Sequence, residues 1–583
     1  MGAVVFRKLI AIFHNLFFYG RFAVDYDNLQ HGLPSTWGAF VILAPVAGGL
    51  IVTFLVNRYA PEAKGHGVPE VIDAVNFKRG VIRAPVALIK ALASSISIGS
   101  GGSVGREGPI VQIGATFGSQ LALWMKIPEW QRLVLIACGG GAGIAATFNT
   151  PLGGVLFAVE LLLVEISART LIPVMIACGT ASLIGRAFFG DNASFVMPPL
   201  TLSHPPAIPG LELASYVLMG LLTGIAGMLY IRSIYWFEDV FKHIPGNGYL
   251  RHALGMLLIG VLMYLMLRYA GHYYTEGVGY ATVQDALDGT LTTGWLALLL
   301  AALKLLATSL TLGSGASGGV FSPSLFIGAM LGAAFAACIH ALVPGASISI
   351  GTAAVIGMAC MVGASTGAAV TAVVMISEMT RDYHVIIPLI ISVSVAYAMR
   401  RLLLADTVYT MKLTRRGEHI TTAIQSQLYL TRRALEFVNA PFLCLDAGAI
   451  LDDAWSRRHW LRKAPHVVLL KDETLIGVVP ARTLRAAFDS GTARSTPLRE
   501  LADLTPLVVE SAIQVFDLVA LMRRQRAHNA MMTRDGVVEG PESVLGVVTW
   551  GDLVENVNLA GSLDFGKGVA VPEPAKASGP IQS

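Results

Sequence analysis

Charged residues are scarce in this chain. Only 14% of its 583 residues are Asp, Glu, Lys or Arg, whereas 54% are hydrophobic. Soluble domains carry about 25% charged residues, so this composition excludes an ordinary soluble protein and indicates one that crosses a membrane several times. The formal net charge of +4 is too small to indicate a nucleic-acid partner.

Closely spaced cysteines are absent as well. The chain has five cysteines, which are scattered: Cys138, Cys178, Cys338, Cys360 and Cys444. Their spacing excludes a disulfide framework and a zinc site. The sequence also lacks a nucleophile–base pair, a phosphate-binding loop and a cluster of metal ligands. We therefore predict neither an enzyme nor a metalloprotein.

The N-terminal region lacks the cleavage site of a signal peptide. Arg7 and Lys8 precede the apolar run 9–13, and no small-residue cleavage motif follows it. We predict a cytoplasmic N-terminal helix within residues 1–33, in front of a membrane domain at 34–412. The short loops and compact chain favour a bacterial inner membrane, with both termini in the cytoplasm.

Apolar segments recur along the chain, but many are shorter than the roughly 20 residues that a straight span needs. They lie at 34–58, 81–98, 109–124, 130–147, 151–165, 170–188, 212–236, 251–270, 294–312, 321–342, 348–363, 366–380 and 384–404. Short segments interrupted by Gly or Pro are typical of broken helices around a binding site in the middle of the membrane.

An internal repeat accompanies these segments. Pro151–Glu160 resembles Ala369–Glu378, since both are small-residue helices that end in Glu after the same step. The pattern predicts two repeats, 34–190 and 212–405, in inverted topology. The alternative is that membrane helices rich in small residues resemble one another without being repeats.

The composition changes after residue 405. Lys412, Arg415 and Arg416 follow the last apolar run, as expected of a cytoplasmic flank. Beyond a linker at 413–433, short β-rich runs alternate with helical ones, and the Gly-Val-Val step at 477–479 recurs at 546–548. We predict a soluble α+β domain at 434–561, made of two similar units at 434–490 and 495–561, and a disordered tail at 562–583.

The most informative stretch is the glycine-rich segment 99–109, which lies between long apolar runs and contains Arg106 and Glu107. A charge in the middle of a membrane costs about 2.5–3.5 kcal/mol, so Glu107 is a functional-site candidate. Bare backbone at that depth is tolerated only inside protein or along a water-filled cavity. The stretch therefore indicates an ion pathway with an acidic side chain in it.

Three segments share one design, glycines followed by a proline in the first turn of a predicted helix: 65–70, 105–109 and 318–323. A helix N-terminus presents free backbone N–H groups and about half a positive elementary charge. Several such ends directed at one point form an anion site without a fixed cation. That arrangement suits conduction, because full charges would hold the ion too tightly to release it.

These residues resemble the CLC family of chloride channels and chloride/proton antiporters, over nearly the whole chain. Gly105–Pro109 is similar to the family's second signature, and Gly318–Pro323 to its third. Tyr409 falls where the family has its pore tyrosine. The resemblance implies an all-α membrane domain with two inverted repeats and broken helices, assembled as a homodimer in the lipid bilayer with one pore in each subunit.

The resemblance also implies roles for particular residues. Glu107 would occupy the anion pathway when ionised and swing out when protonated. The backbone amides of Val320 and Phe321 would coordinate the anion, and the Tyr409 hydroxyl would close the central site. Lys90, seventeen residues before Glu107, would raise the local positive potential. The alternative is that Glu107 is only an ion-pair partner of Arg106.

The first signature departs from the family pattern. His66 stands where the family commonly has a serine that donates to the central anion. We expect His66 and Gly67, together with Arg106 and Gly108 of the second signature, to line the anion sites. An imidazole can still donate a hydrogen bond and can become charged near pH 6.5, so the permeant anion, chloride or a similar one, stays open. The alternative is that His66 faces an intracellular vestibule and binds nothing.

The sequence also departs from the family pattern at the position expected to accept protons. Leu161 stands where exchangers of the family have an internal proton-accepting glutamate, and leucine carries no proton. An apolar residue there is typical of passive channels gated by voltage or pH, which we favour. The alternative is an anion/proton antiporter that uses Glu107 and protons carried by water. Glu165 is interpreted as a solvated residue, and Glu378 as a structural acid hydrogen-bonded at a helix terminus.

The soluble domain resembles a pair of CBS domains. Gly546–Leu553 fits their closing motif, in which Thr549 would face phosphate and Asp552 the ribose of an adenine nucleotide. The matching stretch of the first unit, Gly477–Leu484, lacks both residues. One nucleotide at most is expected, and the alternative is a domain that only packs against other parts of the protein. No other cofactor is predicted.

Overall fold

A computed structural model of the chain describes residues 1–191, 195, 211–291, 293–343, 348–382, 384–418, 433–438, 442–457, 459, 466–471, 474–525 and 527–557. The chain forms two compact units, Met1–Thr422 and Ala423–Ser583. The predicted tail, 562–583, and most of the predicted linker, 413–433, lie outside the described residues.

The first unit is built of α-helices. In chain order they are α1 Gly2–Tyr19, α2 Leu43–Tyr59, α3 Val68–Asn76, α4 Pro85–Gly99, α5 Glu107–Trp124, α6 Glu129–Phe148, α7 Pro151–Phe157, α8 Ala168–Phe189, α9 Leu211–His243, α10 Gly248–Ala270, α11 Tyr280–Leu287, α12 Gly294–Ser314, α13 Phe321–Leu342, α14 Ile350–Thr366, α15 Ala369–Thr380, α16 Ile386–Leu403 and α17 Thr410–Thr414. As expected, prolines lie in the first turns of helices: Pro69, Pro85, Pro109, Pro151 and Pro323.

Nine helices among the described residues are long and apolar enough to cross a membrane, which makes the chain a multi-span integral membrane protein. Four further apolar helices are shorter, as the short segments predicted: Pro85–Gly99, Pro151–Leu162, Ile350–Thr366 and Ala369–Thr380. The second of these is irregular, since α7 passes into a π-helical turn over Ala158–Leu162. These interruptions agree with the predicted broken helices.

The N-terminal helix differs from its predicted place. α1 packs against α4 and α5. Its Phe6 and Ile10 are buried in the main apolar core of the membrane unit, and its 18 residues are apolar enough to span. No structural boundary therefore separates 1–33 from the membrane unit, because the apolar face of α1 is covered by the helices that follow it.

The repeat is visible in how α7 and α15 meet. Glu160, just after α7, accepts hydrogen bonds from the amides of Val370 (3.2 Å) and Thr371 (2.7 Å) at the start of α15. Glu378, near the end of α15, accepts from the amides of Leu152 (3.1 Å) and Gly153 (2.7 Å) at the start of α7. Each carboxylate thus caps the other helix, the two helices run antiparallel, and the prediction that Glu378 is bound at a helix terminus is confirmed.

Close helix packing repeats in the same way. Gly114 of α5 faces Gly139 of α6, and Gly328 of α13 faces Gly357 of α14. A methyl group at any of the four would overlap a carbonyl oxygen of the facing glycine. Small residues let membrane helices approach this closely, and both halves of the unit use them at equivalent places.

The second unit contains two three-stranded sheets. The strands are β1 Phe442–Asp446, β2 His466–Lys471, β3 Thr474–Pro480, β4 Leu507–Glu510, β5 Asn529–Thr533 and β6 Val544–Thr549. The helices are α18 Leu451–Ser456, α19 Ala481–Asp489, α20 Val515–Gln525 and α21 Trp550–Val557. In each sheet the first strand pairs parallel with the second, and the second pairs antiparallel with the third. The two Gly-Val-Val steps occupy equivalent strands, β3 and β6, as the repeat predicted.

The two halves of this unit exchange their leading segments, which the predicted boundaries at 434 and 495 did not anticipate. Ala434 donates its amide to Ile513 and lies in the core of the second half. Leu498 donates its amide to Ala449 and lies in the core of the first half. A third cluster joins Val468 of the first sheet to Met531 of the second. The halves are thus tied together by apolar packing as well as by the chain.

His466 makes the stability of the second unit depend on pH. Burial, offset in part by Asp552, lowers the pKa of this imidazole to about 4. Below its ordinary value, about 6.5, the unfolded chain gains a proton that the folded unit excludes, so stability is complete above that pH and falls as the pH drops toward 4.

We expect the free energy of unfolding of the second unit to drop by about 2 kcal/mol between about pH 7.5 and about pH 5, and His466→Gln to remove most of that dependence. Pulse proteolysis of the full-length protein in detergent measures it. His528→Gln is the matched control, because His528 is exposed in the same unit. An unchanged pH dependence in His466→Gln would contradict the assignment.

Candidate functional site

The three glycine segments of the sequence meet at one point. Gly105 and Gly319 exchange two backbone hydrogen bonds, of 2.7 and 2.6 Å. Gly65 donates its amide to Ala316 (3.0 Å) and accepts from Gly318 (3.2 Å). Residues far apart in the chain are thereby joined main chain to main chain, which requires residues without bulky side chains.

This junction brings three helix N-termini together. α3, α5 and α13 begin at Val68, Glu107 and Phe321, directly after the joined segments. Gly67, the N-cap of α3, has φ +86°, a conformation open to glycine. A methyl group on Gly108 would overlap the carbonyl oxygen of His66. The N-termini of three helices therefore meet in one buried region, with first-turn amides that have no partner inside their own helices.

Glu107 places its carboxylate in this space. Its side chain is only 1% exposed. Oε2 accepts a hydrogen bond of 3.2 Å from the amide of Ser322, in the first turn of α13. Oε1 accepts from the hydroxyl of Tyr280 at 2.7 Å and from the hydroxyl of Ser322. The carboxylate is thus held by donors from α11 and α13, as an anion would be.

Arg106 contributes less to holding Glu107. Its Nε lies 3.9 Å from Oε1 of Glu107, beyond hydrogen-bonding distance. Its guanidinium lies instead over the ring of Tyr280 at 5.1 Å and that of Phe148 at 5.9 Å. The interpretation of Glu107 as only an ion-pair partner of Arg106 does not fit this geometry, because the hydrogen bonds come from other residues.

His66 lies on another side of the junction. It is 4% exposed, with Nε2 3.4 Å from the hydroxyl of Tyr235 and its ring 6.2 Å from that of Tyr409. Its Nδ1 has no hydrogen-bond partner among the described residues. A buried, unsatisfied ring nitrogen beside the predicted pore tyrosine favours a place at the site over one in an open vestibule.

Val320, Phe321 and Tyr409, which the resemblance assigns to the anion path, are all buried. Val320 is the N-cap of α13 and Phe321 its first residue. The carbonyl of Val320 accepts from the hydroxyl of Tyr230 (3.0 Å), and the amide of Ser322 in the same turn donates to Glu107 (3.2 Å). Tyr409 precedes α17 and is 1% exposed.

Lys90 is completely buried next to the first glycine segment. Its ammonium donates to the carbonyls of Ala63 (3.0 Å) and Gly65 (2.6 Å), which lie just before His66. The lysine therefore fixes the loop that carries the first segment, in addition to adding positive charge near it.

A fourth glycine segment is present that the sequence analysis did not identify. Gly277-Val278-Gly279 leads into α11, whose first residue is Tyr280, and Lys304 donates to the carbonyl of Gly277 at 2.8 Å. This repeats the Gly65-His66-Gly67 segment and Lys90. The signal was present, since Lys304 precedes Phe321 by the same seventeen residues that separate Lys90 from Glu107. The missing proline after Gly279 concealed it.

The two acids near Leu161 are either hydrogen-bonded to another helix or exposed. Leu161 lies in the π-helical turn after α7, half-buried. Glu160 beside it caps α15, and Glu165 is exposed in the loop before α8, as predicted for a solvated residue. No acid thus takes the place of Leu161 within this part of the described chain.

The predicted nucleotide residues lie in the second unit. Asp552 accepts from the amide (2.8 Å) and the hydroxyl (2.6 Å) of Thr549, so the two form one local motif at the start of α21. The equivalent places of the first half hold Pro480 and Thr483. The prediction of one nucleotide at most rests on this difference and stays a prediction.

Comparisons with known proteins identify the same family that the glycine segments resemble. Residues 48–401 match the voltage gated chloride channel family. The chain is 35% identical over 379 residues to a ClcB-like protein of Ralstonia nicotianae, covering 64% of this chain and 85% of that protein. It is 33% identical over 382 residues to the H+/Cl− exchange transporter ClcA of Vibrio parahaemolyticus, covering 65% and 80%. The crystal structure of a slow cyanobacterial Cl−/H+ antiporter superposes with a TM-score of 0.59 at 25% identity, covering 71% of this chain and 97% of that one.

We expect His66→Ala to weaken anion binding about tenfold, because it removes a buried N–H donor. Calorimetric titration of the purified protein with chloride at neutral pH measures this. His243→Ala, at an exposed histidine, is the control. Equal affinities in the two variants would place His66 outside the site.

Proposed function

The chain belongs to the voltage gated chloride channel family, and we propose on that premise that it moves chloride or a similar anion across the membrane. The anion would pass through a pathway inside each subunit of a homodimer, between the N-termini of α3, α5 and α13. The observation that carries the proposal is the carboxylate of Glu107, bound by the amide of Ser322 where these helix ends meet. A site that holds a carboxylate this way offers the same donors to a free anion.

Glu107 would act as the gate. Ionised, it competes with the permeant anion for the same amides. Protonated, it loses its charge, the competition ends, and the pathway opens. Proton occupancy and anion occupancy are then linked, because each changes the free energy of the other. His66, Val320, Phe321 and Tyr409 would line the remainder of the anion path.

We favour passive conduction, gated by pH or voltage, over exchange. Coupled exchange needs a proton route from the other side of the membrane to Glu107. Leu161 carries no proton, Glu160 is bound to the start of α15, and Glu165 is exposed. None of these three residues supplies the proton acceptor that exchangers of the family have at the position of Leu161.

Chloride/proton exchange is the second candidate. It is favoured by the similarity to the ClcA exchange transporter of Vibrio parahaemolyticus and to the cyanobacterial antiporter. The buried hydroxyls of Tyr280 and Ser322 beside Glu107 could relay protons on the other side of the gate.

The second unit would be a CBS pair. Thr549 and Asp552 present a hydroxyl and a carboxylate at one helix start, which suits the phosphate and ribose of an adenine nucleotide. A purely structural role is the alternative. The homodimer and a place in a bacterial inner membrane belong to the same proposal.

We expect Glu107→Gln, which mimics the protonated gate, to leave anion flux independent of pH. Flux from liposomes across a range of pH values measures this. Glu165→Gln is the matched control, an exposed carboxylate that should keep the normal profile. A Glu107→Gln protein with the pH profile of the unmodified chain would contradict the gate.

A flux assay distinguishes a channel from an exchanger. Purified protein is placed in liposomes that carry a chloride gradient, and the external pH is recorded. If the protein is a passive channel, chloride leaves when a potassium ionophore is added and no protons move. Protons driven against their own gradient, with Glu107 required, would instead establish exchange and would contradict the inference from Leu161.

A further inference from the structure

We propose that the hydroxyl groups of Tyr280 and Ser322 form a latch that holds ionised Glu107 in the pathway and sets the pH at which it leaves. This inference rests on the proposed function of Glu107 as the gate. It adds two positioning residues, one from α11 and one from α13, to the amides that the glycine segments provide.

The latch is defined by three contacts. The Tyr280 hydroxyl lies 2.7 Å from Oε1 of Glu107 and 2.9 Å from the hydroxyl of Ser322. The Ser322 hydroxyl donates to the same Oε1. Both side chains are completely buried or nearly so. Hydrogen bonds to a charged group in a dry site are strong, because no water competes for the acceptor.

The pair also has a second arrangement available. With Glu107 in place the two hydroxyls already lie 2.9 Å apart, so one can donate to the other when Glu107 leaves. Neither hydroxyl is then an isolated buried polar group, whose desolvation would oppose opening. The amide of Ser322, which Glu107 also releases, becomes the donor for the entering anion.

The position of Tyr280 is fixed by contacts of the loop that precedes α11. Lys304, fully buried in α12, donates to the carbonyls of Thr275 (3.0 Å) and Gly277 (2.8 Å) in the loop before α11. Gly279, the N-cap of α11, has φ +77°, and a methyl group there would press on the ring of Phe326. The tyrosine thus enters the site from a fixed turn, as positioning requires.

Other charged or titratable groups also face Glu107 from the elements around it. Besides Tyr280 they are Arg106, Lys304, Tyr230 and Tyr409. All four stay in the variants proposed below. A change in pH response can therefore be assigned to the latch hydroxyls and not to a change of charge.

The test uses the full-length protein in liposomes and measures anion flux against pH. Removing either hydroxyl destabilises the carboxylate relative to the neutral acid. Tyr280→Phe and Ser322→Ala should each shift the pH of half-maximal flux upward by about one unit, and the double variant should shift it further. Ser324→Ala is the matched control. It lies on the same helix and is equally buried, but its hydroxyl donates to the carbonyl of Phe321 and not to Glu107.

The outcomes separate the latch from the gate. An unshifted midpoint in folded Tyr280→Phe and Ser322→Ala, with Glu107→Gln independent of pH, would overturn the latch and leave the gate intact. A Glu107→Gln protein with a normal pH profile would overturn the gate, and the latch with it. Equal shifts in Ser324→Ala would also overturn the latch. Should Tyr280→Phe not yield a monodisperse protein, Ser322→Ala decides alone.

Discussion

The membrane unit depends on one arrangement, the free backbone amides of three helix N-termini brought together inside a buried, low-dielectric space. An amide that meets neither water nor a helical partner needs an acceptor, and several around one point favour an anion. The arrangement requires main chains in contact, so Gly65, Gly105 and Gly319 carry no side chains. It also requires helices that start in the middle of the unit, and this accounts for the short, interrupted segments around the site.

The two repeats use this arrangement with different side chains. Lys90 and Lys304 each hold two carbonyls of a glycine loop, yet one loop carries His66 and the other leads to Tyr280. Glu107 in one half occupies the place that Phe321 takes in the other. Inverted repeats thus provide a near-symmetric set of amides, and the two halves differ in the side chains that lie beside those amides.

Three carboxylates of the membrane unit lie at helix N-termini, in two different environments. Glu160 and Glu378 each cap the other's helix, so their negative charges offset the positive helix ends and tie the halves together. Glu107 sits at similar helix ends but has hydroxyl partners that can bond to each other when it leaves. Glu160 also accepts from a hydroxyl, that of Thr371, so the difference lies in the paired hydroxyls of Tyr280 and Ser322 beside Glu107.

The sequence by itself determined the apolar segments, the three glycine segments, Glu107, the repeat around Glu160 and Glu378, and the two similar halves of the soluble unit. Each of these features depends on residues that are close together in the chain, because hydropathy, glycine and proline act locally. Only the tertiary structure decided that Tyr280 and Ser322 meet Glu107, since these contacts join residues 173 and 215 positions apart. It likewise made α1 part of the membrane unit and exchanged the leading segments of the soluble halves. Such pairings follow from which buried surfaces fit one another, and no local pattern of residue types records that fit.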